Sequence, residues 1–244
     1  MASGPLVPPN WQLPSELRRR LGLSVGRQRI MEHEGHLVIV AHDVPSPGED
    51  QRRGVLIWRD DSGQWRASNG DPGIAAIEML LNRYEKRIDQ FDQAEVSAQG
   101  ADQYLPLLEG LAPVTRAIRN LQSILGEARK ALPDEFELIN HRDRAYDLSR
   151  TAELTYQFAK DSMDVAVVRK AEEQAVASEK MEIASHRLNI MAALFFPLAT
   201  LASVFGTTLT ENWSWSETAT PFYIFLAGGL MAGFVLAKVI GRRS

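Results

Sequence analysis

Residues 190–209 read IMAALFFPLATLASVFGTTL, an uncharged run of about the length that crosses roughly 30 Å of hydrocarbon as a helix. A second run of the same kind occupies residues 221–240. Between residues 190 and 237 there is no Lys or Arg, and the only carboxylates there, Glu211 and Glu217, fall in the polar segment that separates the runs. Two buried helices of a water-soluble core are the alternative, but such helices usually carry a polar stripe and these carry none. Chain-wide averages hide the pattern, since charged residues make up 24% and the net charge is only −4. The sequence therefore predicts a membrane protein with two C-terminal spans.

Basic residues accumulate on the cytoplasmic flanks of spans. Lys180 and Arg187 precede the first run, Lys238, Arg242 and Arg243 end the second, and the connecting loop has no base. Trp213 and Trp215 in the loop, with Phe222 and Tyr223 beyond it, are the amphipathic rings expected at a headgroup boundary. The loop is thus expected outside and both termini in the cytoplasm, in a cell inner (plasma) membrane. Residues 1–15, MASGPLVPPNWQLPS, contain no basic region followed by an apolar run, so the first 180 or so residues are expected to stay cytoplasmic. With no cysteine, disulfide and thiolate chemistry are excluded.

Ahead of the spans, residues 28–69 read as strand-rich. HLVIVAH (36–42), GVLIWRD (54–60) and GQWRAS (63–68) are separated by turn-forming stretches. So small a sheet needs helices against one face. Asp71-Pro72 is a suitable helix start, followed by Ile74, Ile77, Leu81, Tyr84, Ile88 and Phe91 at helical spacing. Gly100 interrupts, and Tyr104, Leu107, Leu108, Leu111, Val114, Ile118, Leu121 and Leu125 form a second stripe.

From Pro133 onward, Asp134, Glu135 and Glu137 enrich a helix start, and no Pro or Gly recurs until Pro197. One continuous helix over residues 134–209 would be on the order of 110 Å long. Apolar and small residues recur every seven positions at Leu138, Ala145, Ala152, Ala159 and Ala166, and later at Val167, Met181 and Leu188, with Gln174 breaking the pattern. This predicts a loosely packed coiled-coil-like stalk lined by the preceding helices and by sister subunits. The expected organisation is an N-terminal extension (1–27), a cytoplasmic α/β domain (28–132), a stalk helix (133–189), a span (190–209), an external loop (210–220), a second span (221–240) and a cytoplasmic tail (241–244).

This order of parts, and above all SHRLNIMAALFFPLATLASVFGTTL with Pro197 and Gly206 in the frame FFPLATLASVFG, followed by ENWSW and a basic tail, resembles the CorA family of divalent-cation channels. The close resemblance covers residues 134–244. It implies an α+β membrane protein, a funnel-shaped homopentamer, that passes Mg²⁺ or a related cation (Zn²⁺, Ni²⁺ or Co²⁺) down its electrochemical gradient and needs no cofactor. The family ends its first span at Gly-Met-Asn, whose Asn ring holds a hydrated cation; here the same place carries Gly206-Thr207-Thr208. Regulatory metal sites of the family map onto no carboxylate of this chain.

If one face of the first span lines a pore, helical spacing turns Ser185, Leu188 or Asn189, Ala192, Phe196, Ala199 or Thr200, and Ser203 inward. Leu188 and Phe196 would form a dewetting constriction, or Phe196 faces lipid or the second span. Asn189 would sit at the inner mouth facing water or a sister helix. Thr208, with the Gly206 and Thr207 carbonyls, would offer oxygens to a hydrated ion, since Mg²⁺ dehydrates reluctantly; the alternative is that both threonines bond to carbonyls four residues back. Glu211 and Glu217 would concentrate cations at the outer mouth, or simply solvate the surface. His33, His36 and His42 invite a zinc site, although His33 points away from the face the other two share. No Gly-rich phosphate loop, nucleophile elbow or Cys/His constellation is present, so no enzyme is expected, and the lack of a basic cluster argues against nucleic acid. A non-conducting pentameric scaffold or sensor and a weakly selective cation pore are the competing functions.

Overall fold

The structure is a computed structural model and describes residues 7–22, 24–46, 53–205 and 218–241. Along the chain come α1 (Ser15–Arg20), β1 (Arg29–His33), β2 (His36–His42), β3 (Gly54–Arg59), β4 (Trp65–Ala67), α2 (Ala75–Ser97), α3 (Ala101–Ala131), α4 (Glu137–Phe205) and α5 (Thr220–Gly241). They form two compact units, residues 1–168 and 169–244, and α4 supplies helix to both.

In the first unit the four strands make an antiparallel sheet in the order β1-β2-β3-β4. The expected strand over residues 36–42 is β2. The hairpin before it turns on two residues, Glu34 (φ 47°) and Gly35 (φ 79°). Two positive φ angles give a hairpin turn whose twist matches that of the strands, and His33 pairs with His36 to close it. The sequence reading of residues 28–69 gave no separate strand to residues 29–33. RIMEH mixes charged and apolar side chains, and only its pairing with the apolar β2 selects the extended form.

Alternation divides the sheet's apolar residues between two cores. Leu37, Ile39, Ala41, Val55 and Ile57 face a large cluster with α2, α3 and α4. Met31, Val38, Val40, Leu56 and Trp58 face the other way, onto Trp11, Leu13 and Leu17. Residues 1–27, read as an extension, therefore include the second covering layer. Arg18 Nη2 donates to the Trp11 carbonyl (3.0 Å) and pins the layer's fold. The sheet is covered on both faces rather than one, which is why HLVIVAH is apolar without a break.

Helix α2 begins at Ala75 rather than at Asp71-Pro72, because Gly73 (φ 49°) breaks the backbone first. The Asp71 carboxylate instead accepts from Asn69 Nδ2 (2.6 Å) and Arg83 Nη1 (3.4 Å). Of the two expected stripes, Ile77, Leu81, Tyr84, Ile88 and Phe91 are buried in α2, as are Tyr104, Leu107, Leu111, Val114, Ile118, Leu121 and Leu125 in α3. Ile74 and Leu108 are only partly covered.

The early heptad positions of α4 have a partner within the chain. Leu138, Ala145, Ala152 and Ala159 are wholly buried in the same cluster as α2 and α3. Arg144 Nη2 to Glu85 (2.6 Å), Arg119 Nη2 to Glu153 (3.0 Å) and Thr155 Oγ1 to Asp92 (3.2 Å) hold the three helices in register. Small residues recur there because this chain's own helices approach closely. These four positions are thus unavailable to a sister subunit, whereas Val167, Met181 and Leu188 are 47%, 66% and 62% exposed.

Candidate functional site

The second unit contains the end of α4 and all of α5. Among the described residues one helix is long and apolar enough to cross a bilayer, over Thr220–Val239, and only 11% of it is buried within the chain. A core helix of a soluble protein would be mostly buried. The other expected span, residues 190–209, is helical as far as Phe205. Gly206, Thr207, Thr208, Glu211 and Glu217 lie outside the described residues.

Pro221, Gly229 and Gly233 are buried in α5 among the described residues, and the two glycines meet α4. A Cβ added at Gly233 would stand 3.1 Å from the Leu194 carbonyl oxygen and 3.3 Å from that of Ala193, which is backbone against backbone. One added at Gly229 would reach Leu201 Cδ1 at 2.7 Å and Leu198 Cδ2 at 3.1 Å. Gly228, one residue away, meets nothing within 4 Å. Small residues four apart allow membrane helices to approach this closely. Pro197 has no N–H to give the Ala193 carbonyl one turn earlier, and this is one of the carbonyls that a Cβ at Gly233 would approach. The signal for this contact, Gly-x-x-x-Gly in an apolar run, is in the sequence, and the sequence reading did not use it.

The contact fixes which side of α4 is occupied. Ala193, Leu194, Leu198 and Leu201 are turned toward α5. At about 100° per residue, Ser185, Leu188, Asn189, Ala192, Phe196, Ala199 and Ser203 cluster on the opposite side. All seven are exposed in the chain, Leu188 to 62% and Phe196 to 75%. Thr200, the alternative to Ala199, donates its hydroxyl to the Phe196 carbonyl (2.8 Å), which satisfies it inside the helix. Between the two helices lies an apolar cavity of about 480 Å³ lined by Phe195, Leu198, Leu201, Phe222, Phe225 and Leu226 among others. Lacking oxygen ligands, it is no cation site.

The zinc reading of the strand histidines fails. His36 Nδ1 accepts from Trp58 Nε1 (3.3 Å), His42 Nε2 is 2.9 Å from the Gly26 carbonyl, and His33 sits 3.7 Å from Glu34 at the turn. Among the described residues no group of three or more metal-binding side chains forms.

Two titratable groups of the first unit are perturbed by burial. Tyr84 is fully enclosed and donates to the His42 carbonyl (3.1 Å), and desolvation drives its hydroxyl far above its ordinary pKa. His141 is 8% exposed, its Nε2 has no hydrogen-bond partner among the described residues, and burial holds its pKa below 6.5 despite the opposing pull of Glu137 and Glu78.

No family model matches the sequence, and no curated protein matches it. Solved structures do. The full-length CmaX protein superposes with a TM-score of 0.56 at 16% identity, covering 96% of this chain and 82% of that one. The cytoplasmic domain of ZntB from Vibrio parahaemolyticus gives 0.54 at 12% identity, over 66% of this chain and 80% of that one. The chain shares the fold of these two structures. The CorA magnesium transporter from Methanocaldococcus jannaschii gives 0.48 at 14% identity, over 94% of this chain and 86% of that one.

Proposed function

We propose that the chain is a membrane channel of CorA-like architecture, a homopentamer that conducts divalent cations, Mg²⁺ or a related ion, down the electrochemical gradient. The observation that carries this reading is the one-sided packing of α4: α5 occupies the side bearing Leu194, Leu198 and Leu201, while the side bearing Ser185, Ala192, Phe196 and Ser203 is exposed and has no cover among the described residues. Sister copies of that face around an axis would enclose a pore. The protein in this reading is a conduit, not an enzyme. A divalent ion gains roughly 4 to 5 kcal/mol per 100 mV of inside-negative potential, so uptake requires no nucleotide.

Gly206-Thr207-Thr208 would stand at the outer mouth. A Thr ring is shorter than an Asn ring and lacks its carboxamide, so it grips a hydrated shell less well and should prefer Mg²⁺ less. Ion flux into proteoliposomes, run in parallel with Mg²⁺, Zn²⁺, Ni²⁺ and K⁺, tests the reading. Divalent flux is expected from the wild type, and Thr207→Met combined with Thr208→Asn should raise the Mg²⁺-to-K⁺ ratio. Absence of flux from both proteins under gradient and imposed potential would instead favour the non-conducting scaffold, a reading supported by how many of the inward positions, Leu188, Ala192, Phe196 and Ala199, are apolar.

A further inference from the structure

We propose that the conducting path continues along α4 ahead of the first span, and that Gln174 is the residue there that holds a hydrated divalent cation. The proposal rests on the channel reading. Gln174 and Ser178 precede Ser185 and Asn189 on the same helix. At about 100° per residue the four side chains fall within roughly 60° of arc. That arc leads into Ala192, Phe196 and Ser203, on the side of α4 away from α5. All four side chains are exposed, and Met181 and Leu188 flank them.

Charge is sorted away from this face. Arg169, Glu172, Glu173, Glu179, Lys180 and Arg187 all lie more than about 100° from the centre of the arc, while Lys170 and Glu182 border it. A face open to bulk water needs no such bias, and a tight seam between helices would place apolar side chains at these spacings. An uncharged face that is polar at four of its turns suits a narrow, water-filled path. Among the described residues neither serine donates to the carbonyl four residues back, as Thr151 and Thr155 of the same helix do (3.0 Å each). Mg²⁺ dehydrates reluctantly, so groups that hold it accept hydrogen bonds from its water shell. A carboxamide oxygen does this without a charge that would bind the ion too tightly to release it. Of the two carboxamides Gln174 has the longer reach, which makes it the holding point, with Ser178, Ser185 and Asn189 passing the ion along.

The test is flux into proteoliposomes carrying the full-length chain, read as the ratio of Mg²⁺ to K⁺. Gln174→Leu should lower that ratio about fivefold or more, and Gln174→Asn, which keeps the carboxamide, should retain most of it. Because the chain has no native cysteine, Gln174→Cys adds a second readout. Cd²⁺, a soft ion held by thiolates, should block Mg²⁺ flux through Gln174→Cys reversibly on chelation, and should leave the wild type and Glu173→Cys open. A conducting wild type whose ratio is unchanged by Gln174→Leu would overturn the proposal and leave the channel reading standing. Failure of Cd²⁺ to block Gln174→Cys, or equal block of Glu173→Cys, would do the same. A wild type that passes no ion would remove the channel reading and this proposal with it.

Discussion

The two units of this chain use apolar residues in opposite ways. In the first, the large side chains Trp58, Tyr84, Leu80 and Ile57 are each at most 2% exposed. In the second, Phe222, Met231, Phe234 and Val235 are more than half exposed, while the buried positions of α5 include Gly229 and Gly233. Water drives the first arrangement, because transfer of large side chains out of solvent is what stabilises it. In the proposed membrane setting it would not drive the second, since a hydrocarbon solvent gives large apolar groups no reason to turn inward, and close backbone packing would decide instead. On the proposed reading the same residue types would therefore meet a different solvent in each unit.

The sharpest way to break this contrast is to truncate a large ring in each. Trp58→Ala removes a side chain packed on Trp11 (5.3 Å between ring centroids) and should cost the first unit about 3–5 kcal/mol. Phe234→Ala, at a position 68% exposed, should change the second unit's stability in lipid nanodiscs by no more than about 0.5 kcal/mol. Urea unfolding in nanodiscs followed by circular dichroism reads both. Equal losses would mean that protein, not lipid, covers Phe234.

Glycines should behave the other way round. Gly233→Ala drives a methyl against the Leu194 and Ala193 carbonyls, which cannot yield as a side chain can, and should cost about 1–3 kcal/mol. Gly228→Ala meets open space and should be neutral or slightly stabilising through helix propensity. SDS titration in mixed micelles distinguishes them, and equal behaviour of the two variants would remove the proposed helix contact.

A smaller effect sharpens the contrast through pH. His141 is buried on α4 with Glu137, Arg144 and, from α2, Glu78 acting on it, and burial puts its folded pKa below the unfolded 6.5. The unfolded chain then binds the proton first, so stability is full above that value and declines as pH falls through it toward the folded pKa. His141→Leu should flatten the dependence of unfolding free energy on pH as pH falls below His141's ordinary 6.5. An unchanged slope would assign the dependence to other groups.

Much of this was legible in the sequence wherever one periodicity acts on one face. The stripe Ile77, Leu81, Tyr84, Ile88, Phe91 could be read because α2 has one dry side, and β2 because apolar residues fill both of its sides. What escaped had its partner far away in sequence. Trp11, Leu13 and Leu17 look like a loose end until the back of the sheet is known to need cover. The alanines at 145, 152 and 159 have heptad spacing, yet spacing cannot say whether the close neighbour is a sister helix or, as here, the chain's own α2 and α3. On the candidate pore helix, sequence gave the inward set by period alone, and the phase of that set relative to α5 came only with the Gly229 and Gly233 contacts.

The central claim is that this set faces an aqueous path. The chain has no native cysteine, so single-cysteine variants can be read without background. Labelling by a membrane-impermeant thiol reagent, applied to proteoliposomes carrying Ser185→Cys, Ala192→Cys, Ala199→Cys, Ser203→Cys, Leu194→Cys, Leu198→Cys or Leu201→Cys, should modify the first four at a rate well above the last three. Uniform protection, or modification in phase with Leu194, Leu198 and Leu201, would contradict the account.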